Sequence, residues 1–276
     1  MSIHILFPVD KSQYAEAAGS IGIQLAKVHD ARLTLLRVLN VKPASGNFLE
    51  DLAGRMGFGT AIVSDELVEE REARAKALVG GWAKRAAEEG VDAHTEVPTG
   101  AVAATIHEHA QDVDLVVMGL RGETEERFPK QGGEMSSWLP PRIETPTLWA
   151  TPGAAPITAV ALGYDGSEAA KHAVRATRQF LVPLGVPVHA FFITEDGTGG
   201  EILADLEESL DDCEWTAHVI HTDAAPHLAL VEHALAVGAQ VLVLGFNGGN
   251  PLKNFVFGSS TERVLAAGNL AVLVTR

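Results

Sequence analysis

Cysteine is nearly absent from this chain, with Cys213 the single one among 276 residues. One cysteine excludes an internal disulfide and any cysteine-rich metal site. Basic residues are scarce as well: 21 Lys and Arg stand against 36 Asp and Glu, for a formal net charge of −15. The deficit runs through the whole sequence, about −7 up to residue 153 and about −8 beyond it. A field of that sign argues against nucleic acid or an anionic membrane as partner. It leaves room for a nucleotide, because local N–H groups hold phosphate even inside an acidic protein. Long apolar runs are missing, and none approaches the ~20 residues of a membrane span. Met1 to Val9 has neither a basic n-region nor a long apolar h-region and reads better as a first strand. A cytoplasmic location is the expectation.

Eleven histidines are present, yet their spacing does not make a metal centre. His107 and His109 are two apart on an expected helix and diverge around it. His218 and His221 are three apart on an expected strand and face opposite sides. No His-x3-His pair of the zinc-protease kind occurs. No metal ligands are expected.

At 46% hydrophobic and 21% charged, the composition suits a globular chain long enough for two α/β units. The order of elements repeats. Ile3 to Val9 is a short apolar strand that ends in Asp10-Lys11-Ser12 and an Ala-rich helix to about Lys27. After the Pro/Gly/Ala-rich stretch Thr151–Pro156, Ala159 to Gly163 leads through Tyr164-Asp165-Gly166-Ser167 into a helix from Glu168 to about Phe180. Second strands are expected at Arg32–Leu39 and Pro187–Ile193, then charged helices at Ser64–Glu89 and Glu201–Leu210. Third strands follow at Ala93–Val97 and Thr216–His221, and helices at Val102–Ala110 and His227–Ala236. Fourth strands fall at Asp114–Met118 and Gln240–Leu244, and final strands at Thr147–Ala150 and Ala271–Val274. Strands alternating with helices, several continuously apolar, predict a parallel sheet covered on both faces. Two such units, residues 1–152 and 153–276, make the expected fold class α/β, with two doubly wound five-stranded parallel sheets. The ligand crevice of each lies at the carboxyl ends of its strands.

In the second copy, Leu244-Gly245-Phe246-Asn247-Gly248 is followed by nine residues and then Gly258-Ser259-Ser260-Thr261-Glu262. A buried strand running through a glycine loop into a helix start aims backbone N–H groups and a helix N-terminus at one point, where a phosphate would sit. The pattern is neither a Walker loop nor the Gly-x-Gly-x-x-Gly of dinucleotide binders. The first copy reads Met118-Gly119-Leu120-Arg121-Gly122, nine residues, then Gly132-Gly133-Glu134, without the serine. Pro140 and Pro141 follow where the second copy has a plain helix, and proline interrupts a helix interior. This copy looks degenerate. Two readings of the second copy stand side by side. Asp165 and Ser259 serve a ligand, or they do no more than cap helices, Ser259 and Glu262 as a capping box.

An Asp turn after strand one with Gly-x2-Gly-x9-Gly-Ser after strand four, in a unit that occurs twice, resembles the universal stress protein family in its tandem form. The resemblance covers nearly the whole chain. It implies ATP, with or without magnesium, bound where the motif is intact. Carried over position by position, Asp165 contacts the adenine, with Gly163 and Tyr164 at its entry and Ile193 presenting backbone to the base. Leu244 and Gly245 run under the ribose. Gly248, Gly258, Ser259, Ser260 and Thr261 hold the phosphates, and Asn247 stands where the family often has another polar residue. The resemblance implies pairing of the two final strands as an intrachain pseudo-dimer, and the wider faces leave a homodimer of chains open.

The leading expectation is therefore a non-catalytic, nucleotide-binding stress-response protein. One alternative is a weak ATP-hydrolysing or adenylyl-transferring enzyme. Against it, the Ser-Gly-Gly-x-Asp-Ser and His-x-Gly-His signatures are missing, and Lys253 is the one cation near the loop. The other alternative is a small-ligand or lipid-like sensor in the first half, where the connection Lys42–Thr60 is either a ligand wall or a plain excursion.

Overall fold

The computed structural model describes residues 2–40, 65–123, 143–193, 200–211, 213–221 and 225–246, together with 261, 263–265, 267, 268 and 270–276. The connection 42–60, the first-copy glycines 132 and 133 with the prolines after them, Lys253, Asn247, Gly248, Gly258, Ser259 and Ser260 lie outside the described residues.

The first helix shows how local sequence sets an element. Ser12 caps α1 (Gln13–His29): its Oγ accepts the Ala15 N–H at 3.0 Å. Asp10 accepts the Ser12 N–H at 2.8 Å and so fixes the turn before the cap. Small and apolar residues at Ala15, Ala18, Ile21, Gly22 and Leu25 recur at helical spacing and are buried. The helix ends at Asp30, which is left-handed (φ 48°). The second copy begins the same way. Ser167 caps α4 (Glu168–Ala176) by accepting the Ala170 N–H at 3.1 Å, and Asp165 accepts the Ser167 N–H at 3.0 Å.

The first half contains β1 (His4–Pro8), α1, β2 (Arg32–Leu36), α2 (Asp65–Glu88), β3 (Ala93–Glu96), α3 (Val102–Ala110), β4 (Leu115–Gly119) and β5 (Thr147–Ala150). The second contains β6 (Val160–Gly163), α4, β7 (Val188–Ile193), α5 (Gly200–Ser209), β8 (Trp215–Ile220), α6 (Pro226–Ala236), β9 (Val241–Gly245) and β10 (Ala271–Thr275). The ten strands among the described residues form one sheet in the order β3-β2-β1-β4-β5-β10-β9-β6-β7-β8. Within each half every pairing is parallel. The halves join where β10 runs antiparallel to β5, with Leu273 opposite Leu148. The two five-stranded sheets read from the sequence are thus continuous, with an approximate two-fold through that residue pair.

Alternation along the strands divides the interior into two layers. Ile5, Phe7, Leu148 and Leu273 face α1, α2 and α4, whereas Leu6, Val116, Trp149 and Val272 face α3 and α6. The long helix read as continuing to Phe180 changes pitch instead. From Thr177 to Leu181 it becomes a π turn, then a 3-10 turn through Pro183, and Gly185 (φ 67°) ends it. Pro183 has no N–H to give and crowds the preceding turn. Thr177 Oγ1 also donates back to the Ala173 carbonyl at 2.8 Å, a bond that bends helices. Side chains then bind the halves together: Gln24 exchanges two hydrogen bonds with the Ile157 backbone, and His29 Nε2 meets the Phe180 carbonyl at 3.0 Å.

Candidate functional site

Strands β9, β6 and β7 are neighbours, so their carboxyl ends place Gly245, Gly163 and Ile193 in one row. The chain reverses its order of addition between β6 and β9, and ligands of open α/β sheets sit at such a switch point. Gly245 is glycine for a packing reason. A Cβ there would collide with the Ala169 carbonyl in the first turn of α4, so strand end and helix start touch backbone to backbone. Gly166 (φ 75°) takes the left-handed turn between Asp165 and the cap Ser167. Asp165 itself is half-buried beside that turn.

Thr261 lies fully buried, and its Oγ1 donates to the Gly245 carbonyl at 3.2 Å. The two ends of the Gly-rich segment are therefore tied to each other at the strand end. Tyr164 turns its ring inward, edge-on to Phe192 with centroids 5.9 Å apart, and only 3% of it is exposed. What Tyr164 can offer a ligand is main chain. Leu244 is buried in the layer facing α6, and Ile193 is half-buried at the end of β7. Among the described residues, then, Gly163, Asp165, Ile193, Gly245 and Thr261 gather at the strand ends, while Tyr164 and Leu244 point their side chains into the core. Arg263, two residues beyond Thr261, was not singled out from the sequence. Burial, with this guanidinium second, lowers the pKa of His227 at the start of α6.

Residues 1–129 match the Universal stress protein family. Over its whole length the chain is 22% identical to the universal stress protein Slr1230 of Synechocystis, covering 99% of each. The first half of the chain thus carries a universal stress protein domain. The chain's full-length match to that relative fits the tandem form. A shorter stretch, 84 residues, is 29% identical to the stress response protein NhaX of Bacillus subtilis and spans 50% of it. The fold matches the crystal structure of a universal stress protein from Archaeoglobus fulgidus with a TM-score of 0.76 at 20% identity, covering 100% of this chain and 98% of that one.

The first half of the chain has the same geometry, closed on itself. Gly119 lies against the start of α1, where an added Cβ would sit 2.8 Å from Tyr14 Cβ and 3.0 Å from its carbonyl carbon. Asp10 uses both carboxylate oxygens within the chain: Oδ1 accepts the Ser12 N–H and hydroxyl, at 2.8 and 2.6 Å, and Oδ2 accepts the Glu123 N–H at 2.9 Å. Arg37 donates to the Val9 carbonyl at 3.0 Å and lies 4.0 Å from the Glu123 carboxylate. The sequence did not point to Arg37 or Glu123. Their partners are 28 and 113 residues away, and only strand order brings them together. Among the described residues no group of three His, Cys, Asp or Glu is arranged to hold a metal ion, and no helix is long and apolar enough to cross a membrane.

Proposed function

We propose that the whole chain is a tandem universal stress protein and that it binds one adenine nucleotide, ATP with or without magnesium, in its second half. The observation that carries the reading is the tie between Thr261 and Gly245. It holds both ends of the Gly-rich segment against the start of α4 and beside the Asp165 turn, where Gly248, Gly258, Ser259 and Ser260 would meet the phosphates. Backbone N–H groups and a helix start suit an anion in a chain of net charge −15, because they act locally. Asp165 supplies an acceptor for an exocyclic amine. Several charge-assisted hydrogen bonds of about 1.5–3 kcal/mol each support a micromolar site, about −8 kcal/mol in all.

The first half fits the part of partner better than that of a second site, since Asp10 already accepts three hydrogen bonds from its own chain. We read the protein as a regulatory binder. Phosphoryl transfer depends on cations and a positioned base at the phosphates; this reading places Asp165 at the adenine instead, and the Gly-rich pattern carries no Walker-type lysine. The direct test is mass spectrometry of the small molecules released when the purified chain is denatured. An adenine nucleotide near one equivalent per chain is expected. A lipid or other apolar ligand in its place would overturn the reading.

A further inference from the structure

The two outer edges of the sheet are related by the internal two-fold, and they carry opposite chemistry. Pro8 pairs with Leu36 and Leu36 with Glu96 in the first half; Gly163 pairs with Phe191 and Phe191 with His218 in the second. Glu96 on β3 and His218 on β8 therefore occupy equivalent places. The helix behind each edge presents a histidine held the same way. His109 Nδ1 bonds the Thr105 carbonyl at 2.8 Å on α3, and His233 Nδ1 bonds the Ala229 carbonyl at 2.8 Å on α6. A carbonyl only accepts, so each ring keeps Nδ1–H and leaves Nε2 to take up a proton.

In the first half that Nε2 faces an anion. His109 Nε2 lies 3.2 Å from one oxygen of Glu96, and His94 Nε2 lies 3.5 Å from the other. Acid supplies cations to a carboxylate already in place. In the second half the corresponding group is another imidazole, and His218 Nε2 meets His189 Nδ1 of β7 at 3.0 Å. That bond survives with both rings neutral or with one proton between them; two cationic rings would present N–H to N–H. Burial first, and then His189 from β7 and His233 from α6, both repulsive when charged, lower the pKa of His218. Phe191 stacks on the ring at 4.8 Å and offsets part of that repulsion. Glu214, just before β8 and four residues from His218, is exposed, and Glu232 of α6 is exposed beside His233.

We propose that the outer edge of the second half, β8 with α6 behind it, is released by acid, while the equivalent edge of the first half, β3 with α3, is held. This rests on the histidine geometry and is independent of the nucleotide reading.

Hydrogen–deuterium exchange of the full chain tests it, at about pH 7.5 and about pH 5.5, either side of the ordinary histidine range, with intrinsic exchange rates corrected for pH. Protection at Trp215–Ile220 should fall on acidification, by roughly tenfold for each pKa unit between held and released states. Ala93–Glu96 and the central strands β4 and β9 should keep theirs. His218→Glu should remove the response of β8, and Glu96→His should transfer it to β3. If His218→Glu alters the circular dichroism spectrum at neutral pH, Glu96→His carries the test alone. Equal loss at both edges, unchanged β8, loss throughout the sheet, or no response of β3 in Glu96→His would each overturn the proposal.

Discussion

Leu148 and Leu273 stand opposite each other across the antiparallel contact that makes ten strands one sheet, flanked by the pairs Trp149–Val272 and Thr147–Val274. Leu148, Leu273 and Val272 have no exposed surface, and Trp149 has 1%. Short apolar final strands without lysine or proline leave an edge that must be covered, and here each covers the other. Val272→Lys would bury an uncompensated charge in this contact. A loss of about 3–5 kcal/mol is expected by chemical unfolding, together with weakened association of the two halves when they are produced as separate chains. Unchanged stability would mean that the contact is not a core.

The glycines ending β4 and β9 separate packing from binding. Gly245→Ala and Gly119→Ala each drive a Cβ into the helix start beside them. Overpacking of this kind costs about 1–3 kcal/mol, readable as a drop in unfolding midpoint in both variants. Only Gly245→Ala should also weaken the nucleotide, because only that helix start borders the proposed site.

In the same layer as α1 and α4, Trp82 of α2 lies edge-on to Phe7 with centroids 5.1 Å apart, and Arg85 covers its face at 3.9 Å. Gly19 of α1 makes the room, since a Cβ there would collide with the indole and sit 2.7 Å from Phe7 Cε1. Trp82→Ala should cost about 3–5 kcal/mol through the cavity it leaves. Gly19→Ala should also destabilise the fold, although alanine is the better helix former, because the clash outweighs the ~1 kcal/mol propensity gain. A more stable Gly19→Ala would contradict the packing described.

Burial and the Arg32 guanidinium hold the pKa of His4 below its ordinary value, against a backbone hydrogen bond at Asp112 and the charges of Asp114 and Glu96. A histidine whose folded pKa is depressed takes up protons more readily when unfolded. Its contribution is whole above about pH 6.5, declines as pH falls toward the folded pKa, and is constant below it. Urea unfolding across that window should show stability rising with pH, with a shallower rise in His4→Gln. An identical profile in the variant would remove His4 from the account.

Most of the architecture was legible because the repeat carries it. The apolar fourth strands, the Asp turns and the cap serines recur in order, so Asp10-Ser12 and Asp165-Ser167 predicted two equivalent helix starts. Boundaries moved by a residue or two, as at Gly119 and Gly245, which pair although they were read as the first loop residues. The pitch change at Thr177 was hidden because apolar periodicity continues through it to Phe180. Side-chain directions at the strand end were not legible: alternation there turns Tyr164 inward against Phe192. The pairs Glu96–His109 and His189–His218 were illegible, because register, not spacing, creates them.

The central claim, one adenine-nucleotide site in the second half, is tested most directly by titration calorimetry of the full chain against ATP with magnesium, repeated for Asp165→Ala and Asp10→Ala. One site per chain of roughly micromolar affinity is expected, weakened about tenfold or more by Asp165→Ala, the loss of one hydrogen bond to a charged group, and unchanged by Asp10→Ala. Two equivalent sites, no binding of any adenine nucleotide, or loss of binding only in Asp10→Ala would contradict it.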